Sequence, residues 1–134
     1  MTVAGVADTH AALWYVLRNP ELSSTAHAFI ENAAQDGRPV LVASISLAEI
    51  VYLIEKNRLP SDVYTRLTAA LAESRYVLQE APLTLAVVDT MRRVPRTEIP
   101  ELPDRIVAAT ALHYGVPVLS RDREIQASGI PTVW

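Results

Sequence analysis

Asp8, Glu49, Asp104 and Asp122 are the residues of this sequence whose type and placement could do chemistry together. Asp8 comes directly after a short apolar run, Glu49 one turn into the helix that follows a second, and Asp122 just beyond a third, Val116–Leu119. Asp104 opens the helix that leads into that third run. If the runs are parallel strands, right-handed crossovers bring all four positions to one edge of the sheet, and ligands bind at the carboxyl edge of such a sheet. Four carboxylates cannot gather there charged and alone, because two unit charges ~4 Å apart repel by about 4 kcal/mol at an effective dielectric of ~20. Either some keep a proton or divalent cations hold them. Oxygen ligands without cysteine suit Mg2+ or Mn2+. Such ions lower the pKa of a bound water and clamp a phosphate undergoing in-line displacement. The chemistry implied is that of a metal-dependent nuclease.

Each acid also has a plainer reading. Ser46-x-x-Glu49 matches a helix capping box, in which the serine bonds the amide three residues on and the glutamate bonds back. Asp104 is a first-turn acid that complements the helix dipole, and Asp122 fits a turn. Asp8 follows an apolar strand and is harder to dismiss. The joint placement of the four raises the cluster above its members.

The elements that must position them alternate. Val3–Ala7 is expected as a first strand, and Thr9–Leu17 as a helix with Thr9 as its N-cap. Ser23–Asp36 is a second helix, closed by the turn Asp36-Gly37-Arg38-Pro39. Val40–Ala43 is a strand, Ser46–Lys56 a helix, and Ser61 opens another helix to about Ser74. Tyr76–Gln79 reads as a strand, Leu83–Arg93 as a helix, and Pro95 and Pro100 mark a loop. The stretch Leu102–Asp122 then gives a helix with Pro103 at its first position and Gly115 as its stop, followed by the buried strand Val116–Leu119. Thr132–Trp134 is expected as an edge strand. Alternation of this kind predicts an α/β fold, three layers α/β/α around a mainly parallel sheet of four to five strands.

The bounds agree. A chain of 134 residues, 50% hydrophobic and 20% charged, suits a single domain over residues 1–134 with a useful core. No cysteine is present, which excludes a disulfide scaffold and a thiolate zinc site and is compatible with the cytoplasm. No basic leader or bilayer-length apolar run is found, so neither a signal peptide nor a membrane span is expected. The net charge of −3 argues against a globally basic nucleic-acid binder but not against a nucleic-acid enzyme whose cations offset its acids.

Asp8-Thr9-His10, Ser46-x-x-Glu49, Asp104-Arg105-Ile106-Val107-Ala108-Ala109-Thr110-Ala111 and Ser120-x-Asp122 together resemble the motifs of PIN domains, and most of all those of VapC-type toxins of bacterial toxin–antitoxin pairs. The resemblance runs in order over nearly the whole chain. It implies a Mg2+- or Mn2+-dependent endoribonuclease with Asp8, Glu49, Asp104 and Asp122 as metal ligands. It also implies Thr9, Ser46 and Ser120 as polar neighbours of the site. It further implies a homodimer, a small VapB-type antitoxin whose tail fills the acidic cleft, and structured RNA, tRNA or rRNA, as substrate. Two rival readings stay open: a housekeeping RNA-processing nuclease with the same site, and a catalytically silent binding module.

Arg105, Arg121 and Arg123 flank two of the acids and are candidates for RNA phosphate contact or for simple charge balance. His10 is expected on a helix surface or in a dimer contact rather than in proton transfer, and His27 and His113 are expected to be structural. Trp14 and Tyr15 are expected in the core or a subunit interface rather than as a base-stacking platform. Glu101 and Glu124 are expected to be solvated. A phosphoacceptor receiver domain fits poorly, because Lys56 is the sole lysine and no aspartate ends the third strand.

Overall fold

The computed structural model describes residues 2–134. Its centre is a five-stranded sheet in the order β3-β2-β1-β4-β5, parallel at every pairing. The strands are β1 (Gly5–Ala7), β2 (Val40–Ala43), β3 (Leu78–Ala81), β4 (Val118–Leu119) and β5 (Thr132–Val133). The helices are α1 (Thr9–Val16), α2 (Ser24–Gln35), α3 (Ser44–Glu55), α4 (Asp62–Leu71), α5 (Leu85–Met91), α6 (Leu102–Tyr114) and α7 (Arg123–Ala127). None of the helices is long and apolar enough to cross a membrane, among the described residues.

The three layers follow from the two-residue period of a strand. Ala7, Val40, Val42, Leu78 and Leu119 project to one face and pack with Ala11, Ala12, Ala26, Ile30 and Ala33 of α1 and α2. Val6, Leu41, Ala43 and Val118 project to the other and pack with Val87 of α5, Val107, Ala108 and Ala111 of α6, and Ile125 of α7. A sheet covered on both sides needs apolar residues at every strand position, which is why β1 and β2 are unbroken apolar runs. The small residues of α6 let that helix lie close against the sheet. A third cluster, Leu13, Ile50, Val63 and Leu67, joins α1 to α3 and α4.

Several boundaries differ from those expected. β1 begins at Gly5, not Val3, and Pro103 is the second residue of α6, not the first. β3 is shifted from Tyr76–Gln79 to Leu78–Ala81, because Tyr76 N–H closes a turn onto Glu73 and pairing with β2 starts at Val40 opposite Leu78. α3 starts directly from the strand at Ser44, two residues before the expected Ser46, with the extended Ala43 as N-cap. α7 was not expected at all. The stop at Gly115 is as expected, its φ of 68° lying in the left-handed region that glycine adopts without strain.

Gly5 is a glycine for want of space. A Cβ there would stand 3.0 Å from Phe29 Cε1, 3.1 Å from Leu119 Cδ1 and 3.2 Å from the Pro117 carbonyl oxygen. That carbonyl cannot retreat, because it accepts the Val6 N–H at 3.0 Å in the β1–β4 ladder. Gly5→Ala is therefore expected to destabilise the fold by about 1–2 kcal/mol, overpacking outweighing the entropy that alanine removes from the unfolded chain. A lower midpoint in thermal or urea unfolding checks this.

Candidate active site

β1 occupies the middle of the sheet, and the chain leaves it on one side towards β2 and β3 and returns on the other as β4. The point where strand order reverses lies between β1 and β4, where α/β sheets open a crevice at their carboxyl ends. A hollow of about 440 Å3 lies there, lined by Asp8, Thr9, His10, Trp14, Glu49, Asp104, Arg121, Asp122 and Trp134. All four acids singled out from the sequence are among its walls.

Asp8 continues the ladder by one bond, its N–H donating to Leu119 O at 3.1 Å. Its carboxylate is also the N-cap of α1, with Oδ1 accepting the Ala11 N–H at 2.9 Å; the expected cap, Thr9, lies inside the helix. Asp122 combines the same two roles. It caps α7 through Oδ1, which accepts from Glu124 N at 2.9 Å and Ile125 N at 3.1 Å. The turn expected at Asp122 is instead the start of a helix, which Asp122 caps while also lining the hollow. Glu49 is not part of a capping box, because Ser46 lies in the first turn of α3 and is wholly buried. Glu49 instead accepts the Thr9 hydroxyl on Oε1 at 2.6 Å, a bond that ties α3 to α1.

Three of the carboxylates are thus each held by one oxygen on a protein donor. Asp104, in the first turn of α6, accepts no such bond among the described residues, and the electrostatic load shows there. Burial first, then the charges of Asp122, Glu49, Asp8 and Glu101, push its pKa up to about 7. Burial also raises Asp8 above the ordinary 3.8 and Asp122 adds to this, while the Ser120 hydroxyl, the Ala11 N–H and His10 pull it back. Ser120 is wholly buried and links the pair, its Oγ also accepting the Asp122 N–H at 3.0 Å.

The donor set fits a hard divalent ion: carboxylate oxygens, no sulfur, and a group whose proton a cation would displace. Ser46 Oγ, one turn before Glu49, is buried without a hydrogen-bond partner among the described residues, so the polar wiring on this side of α3 is incomplete within the protein alone. The acids line the walls rather than forming a closed cage. Among the described residues no three acidic or imidazole groups are drawn together closely enough to hold an ion as they stand.

Three lining residues were placed elsewhere by the sequence reading. His10 and Trp14 face the hollow, their rings 5.4 Å apart. Their spacing of four on one helix starting at Asp8 was the signal available. Trp134 follows the carboxyl end of β5 and so reaches the same edge as the acids. The three arginines separate. Arg121 lines the hollow and pairs with Glu21 at 2.8 Å. Arg105 is bound to backbone, donating to Val94 O at 2.9 Å and Met91 O at 3.1 Å, which fastens the end of α5 to α6. Arg123 is exposed at the start of α7, outside the hollow's lining.

A parallel three-layer α/β protein with an acid-walled hollow at its switch point defines a narrow class. The PIN-domain pattern matches residues 6–129, and the chain belongs to the PIN-domain family. It is 27% identical over 130 residues to Ribonuclease VapC22 of Mycobacterium tuberculosis, covering 95% of each chain. Its fold is similar to that in the crystal structure of VapBC2 from Rickettsia felis bound to a DNA fragment from their promoter, with a TM-score of 0.71 at 14% identity over 97% of each chain. It is also similar to FitAcB from Neisseria gonorrhoeae, with a TM-score of 0.57 at 20% identity over 96% of this chain and 95% of that one.

The raised pKa of Asp104 sets the pH dependence of the metal-free protein. The unfolded carboxyl loses its proton near 3.8 and the folded one only near 7, so between these values the folded state binds more protons. Stability therefore falls as pH rises through that window. In chelator, Asp104→Asn should lessen the fall and raise the melting temperature at pH 7.5 by about 3 °C or more, on the order of 1 kcal/mol for a half-exposed group. Thermal melts of both proteins at pH 5 and 7.5 check it.

Proposed function

We propose that this protein is a divalent-metal-dependent endoribonuclease acting as the toxin of a toxin–antitoxin pair, with Asp8, Glu49, Asp104 and Asp122 as its catalytic and metal-holding residues. The observation that carries this reading is the meeting of four carboxylates, from four separate stretches of chain, in one hollow at the carboxyl edge of the sheet. The ribonuclease among its relatives supports the reaction class. The solved VapBC2 and FitAcB structures, which share its fold, support a VapB-type antitoxin as partner. Structured RNA, tRNA or rRNA, is the substrate proposed, and the cytoplasm the place of action. Self-association has a candidate surface in the exposed Leu83, Leu85, Val88 and Leu102 at α5 and the start of α6, where Leu85 is 84% exposed.

In this reading Mg2+ or Mn2+, when bound, supplies positive charge to the scissile phosphate and a water of lowered pKa. The protein's part is to hold its carboxylates ready. Asp8 and Asp122 are fixed by the helix starts they cap, so neither rotates away from the hollow. Thr9 fixes one oxygen of Glu49 and thereby orients the other. Ser120 keeps Asp8 and Asp122 in register through one hydroxyl. Asp104 would have to lose its proton to serve as a ligand, so the site should be readier to bind metal as pH rises towards 7.

Asp8→Asn should remove cleavage of an RNA pool by at least about 100-fold. The asparagine carbonyl can still accept the Ala11 N–H, so the variant should melt within a few degrees of the wild type. Chelator should silence the wild type, and full cleavage in excess chelator would sink the metal mechanism. Thr9→Val keeps the buried bulk but frees Glu49. It should weaken Mn2+ binding about 10- to 100-fold, read by calorimetric titration.

A further inference from the structure

The hollow has a second chemistry besides its acids. His10, Trp14, Arg121 and Trp134 form the rest of its lining together with Thr9. The guanidinium carbon of Arg121 sits 4.5 Å above the centre of the Trp14 ring. Trp134 is 5.9 Å from Trp14 and His10 is 5.4 Å from it, ring centre to ring centre. Both tryptophans of the chain are therefore in this one wall. Sequence reasoning placed Trp14 in the core or an interface; it does pack against the core, and it also backs Arg121.

Arg121 is the one arginine or lysine lining the hollow among the described residues. A free cation there would be expected to meet phosphate. This one already donates to Glu21 Oε2 at 2.8 Å, and it is held over an indole. What it offers the hollow is less an uncompensated charge than a restrained planar group backed by an aromatic ring. Unpaired bases are gripped by planes of this sort, aromatic rings and stacked guanidinium groups. The placement fits as well. Arg121 is the immediate neighbour of Asp122, its Cα about 3.8 Å away along the chain, so a stacking plane lies beside the acids on the same short turn. The whole hollow falls within the about 300–1,000 Å3 usual for sites that enclose a small ligand.

We propose that Arg121 stacked on Trp14, with His10 and Trp134 beside it, is a subsite for the nucleobase next to the scissile phosphate. The proposal rests on the nuclease reading above and narrows its substrate class to RNA with an unpaired or extruded nucleotide at the cut. A base stacked inside a duplex has no free face to offer this wall. Because every base has a stacking face, the subsite selects for an open strand rather than for a particular letter. Arg121 is the group that touches the base. Trp14 acts through Arg121 and is a positioning residue.

The test compares two probes: a randomised single-stranded RNA octamer pool and an abasic octamer with the same ribose-phosphate chain. Binding is measured by titration with Ca2+ in place of the catalytic ion, and tryptophan emission is read in parallel. The wild type should bind the pool about 5- to 150-fold more tightly than the abasic chain, with emission quenched by the pool alone. Arg121→Ala, at a half-exposed side chain that should not unfold the protein, should bring the ratio below about 2-fold. Loss of charge alone would weaken both probes and leave the ratio intact. Trp14→Phe, which keeps an aromatic ring in the core, should give an intermediate ratio. Equal affinity of the wild type for both probes would overturn the subsite, and so would an unchanged ratio in Arg121→Ala. Mn2+-dependent cleavage of the pool, assayed separately, keeps the two readings apart. Cleavage with base-independent binding refutes the subsite alone, and base-dependent binding without cleavage refutes the nuclease alone.

Discussion

The repulsion among four carboxylates in one hollow is the constraint around which this structure is built. Left to themselves the groups would turn outwards into water or take up protons. The fold counters the first tendency with hydrogen bonds: Asp8 and Asp122 are held by amides at helix starts, and Glu49 by the Thr9 hydroxyl. The second shows at Asp104 and Asp8, whose affinity for a proton rises first with burial and then with the charge of neighbouring acids. The helix starts do double service. Their amides carry partial positive charge, so they stabilise the same carboxylates that they orient.

The scaffold explains why such distant residues meet. With β1 between β2 and β4, the two connections that leave its neighbourhood turn to opposite faces of the sheet, and their ends open at the same edge. Asp8 and Ser120 follow adjacent strands and are tied through the Asp8 N–H to Leu119. α6 runs back over the sheet and delivers Asp104 from above, while α3 brings Glu49 from the β2 side. Arg105, next to Asp104, is spent on holding α6 to the end of α5. A strong backbone contact one residue from a site acid is a positioning device, since a slip of α6 would carry Asp104 with it.

Much of this was legible before any coordinates. Apolar runs too short for helices, each followed by an acid, are enough to suggest a parallel sheet with an acidic edge, and that part of the reading needed only side-chain period and turn chemistry. What local pattern could not resolve is orientation. Ser46 and Glu49 fit a capping box by spacing, and only the folded chain shows that the helix begins directly at the strand, with Ser44 as its first residue. α7 is five residues long, below the length at which periodicity speaks. Trp14 reads in sequence as core or subunit interface; that one ring packs on the core and also faces a hollow depends on the crossing of α1 over the sheet. Arg105, Arg121 and Arg123 look alike in sequence and have different surroundings in space, because which side of a turn a long side chain takes is set by partners remote in the chain.

The pairing of Val6 with Val118 carries one further consequence. β1 is made early in synthesis, but one of its two neighbours comes more than a hundred residues later. Until β4 and the turn behind it have left the ribosome, Asp8 lacks Ser120 and Asp122, and the hollow has no far wall. The hollow is therefore among the last features of the fold that the chain can complete. Long-range strand pairing, usually a handicap for folding speed, here also makes the acid-walled hollow depend on residues far along the chain.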